Sequence, residues 1–135
     1  MAHVIEIGEG SERYPNKGFT LVELLLVLLL VAMLTSLVMP VATKSVDQAK
    51  ESVLKEDLHV LRKAIDDYYA NTGRYPQDLV QLVDKRYIRH IPIDPLTESE
   101  TSWVENRSDI PVGGINDVHS GAEGKGSNGK PYRDW

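Results

Sequence analysis

The sequence predicts an α+β protein in which a long N-terminal helix packs on a small, irregular antiparallel sheet. Three observations support this class. An apolar run is followed without a break by an amphipathic helical pattern, two short strand candidates come only later in the chain, and most of the glycines lie near the C-terminus. The chain has 135 residues, which is enough for one modest domain.

Residues 1–18, MAHVIEIGEGSERYPNKG, are polar and contain glycine and proline without any sustained hydrophobic period. We interpret this stretch as a leader outside the fold.

Residues 19–42 are predicted to form the transmembrane half of the N-terminal helix. From Leu24 to Ala42 a helix would be roughly 28 Å long, close to the ~30 Å hydrocarbon core of a bilayer. Thr35 and Ser36 can bond back to helix carbonyls, so they are compatible with such a span. Pro40 denies the carbonyl of Ser36 its usual donor, which predicts a bend there.

Residues 43–73 are predicted to form the amphipathic, soluble half of the same helix. The whole helix, with both halves, is predicted to be about fifty residues long. Apolar residues recur at steps of three and four positions, and charged residues lie largely between them. The predicted buried stripe consists of Val46, Ala49, Val53, Leu54, Leu58, Leu61, Ile65 and Tyr68. Gly73 is the predicted residue after the helix C-terminus.

Residues 74–135 are predicted to form a small globular region. The segment RYPQDLVQLVDKRYI predicts a short helix with Leu79, Leu82 and Val83 facing inward, and TSWVEN and GGINDVHS are the strand candidates. The predicted core joins the helix stripe to Tyr75, Leu79, Leu82, Ile91 and Trp103.

Composition and spacing exclude several function classes. The net charge of −5 predicts no basic surface for nucleic acid, and the absence of cysteine excludes disulfides and thiolate chemistry. His59, His90 and His119 lie in separate segments without the spacing of a metalloprotease. Asp66 and Asp67 are neighbours on a helix and so point to different sides. Nothing in the sequence favours an enzyme.

Glu23 lies near the start of the apolar run, and this position requires an explanation. A carboxylate in a membrane helix costs about 2.5–3.5 kcal/mol at the bilayer centre and less near the edge. Taken alone, Glu23 is either solvated at headgroup depth or retained for a function.

The segment KGFTLVEL resembles the processing site of type IV prepilins and pseudopilins, in which glycine, phenylalanine and a glutamate at the fifth mature position recur. Pro40 and the amphipathic helix extend this resemblance over residues 17 to about 72. It implies a pilin-like fold, cleavage between Gly18 and Phe19 by a prepilin peptidase, and methylation of the new amine. It also implies a single-pass protein of the bacterial inner membrane with a periplasmic C-terminal region.

The chemistry of that cleavage suggests a role for Glu23. The cut would create a cationic amine at Phe19, four residues or roughly 6 Å from Glu23 along a helix. A staggered neighbouring subunit could bring its own amine to Glu23 and neutralise both charges away from water. Phe19, Glu23 and Pro40 are therefore the predicted assembly residues.

The C-terminal half resembles the major pseudopilin of type II secretion systems in NTGRYP, in IPIDP and in the glycine-rich tail, GGINDVHSGAEGKGSNGKPYRDW, residues 113–135. Members of that group bind calcium in this tail. The resemblance implies a calcium site built from acidic and neutral oxygen ligands, here Asp117, Ser120, Glu123, Asn128 and Asp134. The tail lacks the adjacent aspartates usual in the group, so a solvated loop held by turns stays open as the alternative.

The expected function is that of a structural pseudopilin, which joins other pseudopilins and an inner-membrane secretion platform in a periplasmic filament that drives protein export. Two alternatives stay open. One is a type IV pilin of a surface fibre, and the other is a monomeric membrane-anchored binding module. An ordinary secretory signal ending near Ala42 is the weakest reading, because Pro40 lies where a small residue is expected.

Overall fold

The structure is a computed structural model, and it describes His3, Gly8, Gly10, Pro15, residues 17–109 and residues 113–135. The elements in this part of the chain are α1 (Leu21–Thr72), α2 (Leu79–Asp84), β1 (Val104–Arg107), β2 (Ile115–His119) and a 3₁₀ turn (Tyr132–Asp134). A long helix followed by a small antiparallel sheet confirms the predicted α+β class. The chain divides into two compact units, Met1–Met39 and Pro40–Trp135.

In the first unit, α1 begins two residues later than predicted because Thr20 caps it instead of joining it. The Thr20 hydroxyl accepts the main-chain N–H of Glu23 at 3.1 Å, and its carbonyl accepts that of Leu24 at 3.1 Å. Thr-x-x-Glu is a known signature of helix N-termini, so the start at Leu21 has a local cause.

The helical part of the first unit carries an exposed apolar surface. Every large apolar side chain from Leu21 to Met39 is more than half exposed. Thr35 donates to the carbonyl of Val31 at 2.7 Å, as a hydroxyl in an apolar helix is expected to do. Among the described residues, α1 is the one helix long and apolar enough to cross a membrane.

In the second unit, α1 ends where the sequence predicts. The helix stops at Thr72, and Gly73 adopts a φ of 72° while its N–H donates to the carbonyl of Tyr69 at 2.8 Å. A left-handed residue at this position favours glycine, which has no Cβ to clash with the preceding carbonyl.

The buried stripe of α1 is shorter than predicted. Leu54, Leu58, Leu61, Ile65 and Tyr68 are buried as expected, and Ala64 joins them. The prediction was wrong for Val46, Ala49 and Val53, which are exposed. The reason is that the core residues from the rest of the chain pack against the stripe between Leu54 and Tyr68.

The short helix α2 and the segments after it complete the core. Asp78 caps α2 by accepting the N–H of Gln81 at 2.8 Å, and this orients the helix so that Leu79 and Leu82 are buried. Val83, Tyr75 and Ile91 are only half-buried. The core also contains residues outside the predicted set: Ile88, Ile115 and Val118.

The sheet consists of β1 and β2, paired antiparallel with a bulge between Asn106 and Arg107. β1 starts at Val104, three residues later than the strand predicted from Thr101. Ser99 and Thr101 bond to each other in a turn at 3.0 Å, and the Trp103 indole donates to the carbonyl of Pro92 at 2.8 Å. These contacts hold the chain away from strand geometry before Val104.

Leu61 provides a test of the buried stripe. Leu61→Ala should lower the free energy of unfolding by about 2–5 kcal/mol, because Leu61 is fully buried and the substitution leaves a cavity. The neighbouring Val60→Ala is the matched control, since Val60 is 43% exposed and should lose far less. Urea unfolding of a chain starting at Lys44 measures both. Equal losses would contradict the assigned helix face.

Candidate functional site

The predicted processing residues lie at the start of α1 in the first unit. Gly18 and Phe19 precede the helix, and Phe19 is 85% exposed. The Glu23 side chain is exposed on the first turn, while its main-chain N–H is held by Thr20. The structure therefore presents an accessible peptide bond between Gly18 and Phe19, close in sequence to a carboxylate.

Pro40 lies inside α1, and its carbonyl accepts the hydroxyl of Thr43 at 3.2 Å. This residue is also the first of the second compact unit. The predicted bend at Pro40 and its role in assembly stay predictions.

The predicted calcium ligands lie in the second unit, and two of them already have charged partners. The Asp117 carboxylate accepts from Nε of Arg62 at 2.7 Å and from the main-chain N–H of Val118 at 2.8 Å. Ser120 is 1% exposed, and its hydroxyl donates to the carboxylate of buried Asp94.

The other three predicted ligands are spread along the tail. Glu123 is exposed and lines a cavity of about 320 Å³ together with Ser120. Asn128 and Asp134 line a different cavity, of about 200 Å³. The Asn128 side chain accepts the main-chain N–H of Lys130 at 2.9 Å.

Calcium requires six to eight oxygen ligands around one point. Among the described residues, no group of three or more His, Asp or Glu side chains is arranged to hold a metal ion. The three acidic members of the predicted set, Asp117, Glu123 and Asp134, are therefore not grouped around one point in this geometry. Calcium binding stays a prediction.

Glu51 is a functional candidate that sequence reasoning missed. It is only 6% exposed on α1 and accepts three hydrogen bonds from the tail. The donors are the Ser127 N–H at 2.7 Å, the Ser127 hydroxyl at 2.5 Å and the Tyr132 hydroxyl at 3.2 Å. The bond from the Ser127 hydroxyl is the main cause that lowers the pKa of Glu51, and burial opposes it.

Arg62 is the second residue that was missed. Besides Asp117, its guanidinium donates to the carbonyl of Val118 at 3.0 Å and to the main-chain oxygen of Trp135 at 2.5 Å. Arg62 thus joins α1, β2 and the end of the tail.

Asp94 is the third residue that was missed. It is fully buried and accepts the N–H groups of Leu96 at 2.9 Å and Thr97 at 3.4 Å, in addition to Ser120. Nearby Asp57 has a raised pKa, first because of burial and then because of the Asp94 charge. Asp94 thus organises the turn after Pro92 and anchors the start of the tail.

One signal in the sequence could have identified Glu51. It lies three positions before Leu54, on the same face of α1 as the buried stripe, so a charge there should be buried. Arg62 offers no comparable signal, because it stands beside the stripe rather than on it.

The profile of the prokaryotic N-terminal methylation motif matches residues 13–39 of the chain. Among curated proteins, the type II secretion system core protein G of Pseudomonas aeruginosa is 32% identical over 62% of this chain and 70% of its own length. The protein of the same name from Klebsiella michiganensis is 32% identical over 62% of this chain and 70% of its length. The protein of the same name from Klebsiella pneumoniae is 33% identical over 59% of this chain and 69% of its own length. No solved structure gives a significant match.

Glu51→Gln tests the buried carboxylate. At neutral pH the substitution should lower the free energy of unfolding by about 1–3 kcal/mol, because the charge-assisted bonds from Ser127 and Tyr132 weaken. A carboxylate with a lowered folded pKa stabilises the fold above its unfolded pKa, roughly 4.3, and loses that stabilisation as pH falls through the folded value. The difference between the variant and the wild type should therefore shrink in acid.

Urea unfolding across a pH series measures this difference in a chain starting at Lys44. Glu56→Gln is the matched control, because Glu56 is an exposed glutamate on the same helix. A difference between Glu51→Gln and wild type that is independent of pH would contradict the role assigned to the Glu51 charge.

Proposed function

Because this chain belongs to the type II secretion system core protein G family, we propose that it is cut between Gly18 and Phe19, methylated and assembled through its N-terminal helix. The chain is a pseudopilin with a prepilin-type methylation motif. The observation that carries the proposal is the match over residues 13–39, which includes the accessible Gly18–Phe19 bond and the exposed apolar helix.

The exposed surface of α1 supports assembly or insertion. Large apolar side chains more than half exposed from Leu21 to Met39 require lipid or other helices around them. The prepilin-type motif and this helix fit anchoring in the inner membrane. We place the region after the helix in the periplasm, where it would face the other pseudopilins. We place the inner-membrane secretion platform beside the anchored helix.

Glu23 is the proposed partner of the new amine. It is the one acidic residue between Gly18 and Asp47. Cleavage would add one positive charge at Phe19 to a segment with this one negative charge. Two charges placed in an apolar environment are tolerated when they pair, and pairing between staggered subunits would define the axial step of a filament.

The proposed role is non-catalytic. The curated relatives are named for a core component of a secretion system, which favours a pseudopilin over a surface-fibre pilin. Prepilin peptidase is the proposed processing enzyme, and the chain itself is its substrate.

Processing is tested by mass. Co-expression with an active prepilin peptidase should give a chain that starts at methylated Phe19, whereas an inactivated peptidase should leave residues 1–18 attached. Intact mass and the mass of the N-terminal peptide measure this. Gly18→Leu is the matched variant and should remain uncut, because the bulky side chain replaces the glycine at the cut.

An uncut wild-type chain, beside a control substrate that the peptidase does cut, would contradict the filament proposal. It would favour a monomeric membrane-anchored binding module.

Glu23→Gln tests the assembly role. The variant should be cut normally, and α1 should still begin at Leu21, because the Thr20 hydroxyl binds the main-chain N–H of residue 23 rather than the carboxylate. Leaving the Phe19 amine unpaired should cost about 3–5 kcal/mol at each subunit contact. Filament yield should therefore fall by roughly a hundredfold or more.

Cross-linking of subunits in membranes that contain the peptidase measures assembly. Asp47→Asn is the control, because it removes one exposed negative charge from the same helix outside the apolar segment. Unchanged assembly of the cleaved Glu23→Gln chain would instead assign Glu23 to solvation at headgroup depth.

A further inference from the structure

Two side chains of α1 with opposite charges hold the C-terminal segment, residues 120–135. We propose that these two protein charges, Glu51 and Arg62, fasten the segment in place of a bound divalent cation. This inference goes beyond the proposed function and does not depend on it, because it concerns the fold of a single chain before assembly.

Arg62 gathers oxygens of the kind that a hard cation would gather. Its guanidinium contacts the Asp117 carboxylate, the Val118 carbonyl and the main-chain oxygen of Trp135, at 2.7, 3.0 and 2.5 Å. Carboxylate and main-chain oxygens are also the ligands that calcium prefers. A positive charge from the helix therefore already occupies the place where β2 and the end of the tail meet.

Glu51, which carries the opposite charge to Arg62, binds the middle of the same segment. Its carboxylate accepts two bonds from Ser127 and one from Tyr132. Glu51 and Arg62 are eleven positions apart, about three helical turns, so they lie on nearly the same face of α1 and roughly 16 Å apart. Two attachments at that separation define where the segment lies along the helix and in which direction it runs.

Close packing within the segment adds to these bonds. A Cβ on Gly126 would lie 2.0 Å from the Trp135 ring, so glycine is required for the ring to pack there. The Trp135 ring lies 5.2 Å from that of Tyr132, and Nζ of Lys55 is 4.8 Å from its centroid. The segment thus folds on itself and on α1 through protein groups.

The same contacts leave little capacity for calcium. An ion at Asp117 would have to compete with a guanidinium that is held by three hydrogen bonds. Ser120 uses its hydroxyl to bind Asp94 and is almost fully buried. Glu123 and Asn128 line separate cavities, so neither completes a shell around Asp117.

Hydrogen–deuterium exchange of the full chain in detergent micelles tests the proposal. Peptides covering residues 120–135 report the attachment, and peptides covering α2 report global stability. Wild type should exchange at the same rate with excess calcium chloride as with the chelator EGTA. Arg62→Met should exchange roughly tenfold faster or more in the tail, because the charge-assisted bonds are lost. Lys63→Met is the matched control and should leave the tail unchanged, because Lys63 pairs only with Asp67, one turn further along α1, in the described structure.

Slower tail exchange of the wild type in calcium, lost in EGTA, would overturn the proposal. A calcium response that appears only in Arg62→Met would support it, because removing the guanidinium releases the Asp117 oxygens. If Arg62→Met exchanges quickly in α2 as well, Asp117→Asn decides. That variant keeps the bonds of Arg62 to Val118 and Trp135, so it should remain folded and insensitive to calcium.

Should calcium slow the tail of the wild type but not that of Asp117→Asn, Asp117 would be a calcium ligand and the proposal would fail. The chain is not assembled in this experiment, so neither result bears on the cleavage at Gly18 or on the pairing of Glu23.

Discussion

Burial of the apolar stripe of α1 between Leu54 and Tyr68 is the interaction on which the rest of the second unit depends. α2, the segment leading into β1, and β2 each contribute core residues that pack into the same cluster as this stripe. In the part of the chain that the structure describes, the sheet has two strands, and two strands alone are marginal in water. The helix therefore supplies the surface that such a sheet needs to remain folded.

Hydrophobic burial is not directional, so the stripe alone does not determine how the tail lies on the helix. The directional information comes from charged groups at the ends and edges of the stripe. Glu51 accepts hydrogen bonds from Ser127 and Tyr132, and Arg62 donates to oxygens of β2 and Trp135. Buried Asp94 accepts the hydroxyl of Ser120. Hydrogen bonds are directional and are stronger in a partly buried environment than in water, so these contacts favour one position of the loop.

The features predictable from the sequence are those encoded locally. Helical periodicity predicted α1, Gly73 predicted where it ends, and the segment GGINDVHS predicted β2. The contiguous prepilin motif predicted the family by itself, because all of its residues are neighbours in the sequence. The late start of the helix was also local, because Thr20 and Glu23 form a capping signature, but this signature overlaps the processing motif.

The features that were missed depend on partners far apart in the sequence. Glu51 lies 76 residues from Ser127, and Arg62 lies 55 residues from Asp117. No local period reports such a pair. The exposure of Val46 and Val53 was missed for a related reason, since a helical pattern shows which face is apolar but not how far the covering segments extend along it.

The predicted calcium ligands illustrate the same limit in chemical terms. The tail does contain carboxylate and carbonyl oxygens, and their identities alone cannot decide which cation they serve. We propose that the deciding group is the guanidinium of Arg62, which lies 55 residues before Asp117 in sequence. In the second unit, apolar residues form the core and a few charged groups bind the tail. In the second unit that charge pairing is internal to the chain. In the proposed filament, Glu23 and the Phe19 amine would perform the same task between subunits, as a single polar residue does when it specifies the register of packed helices.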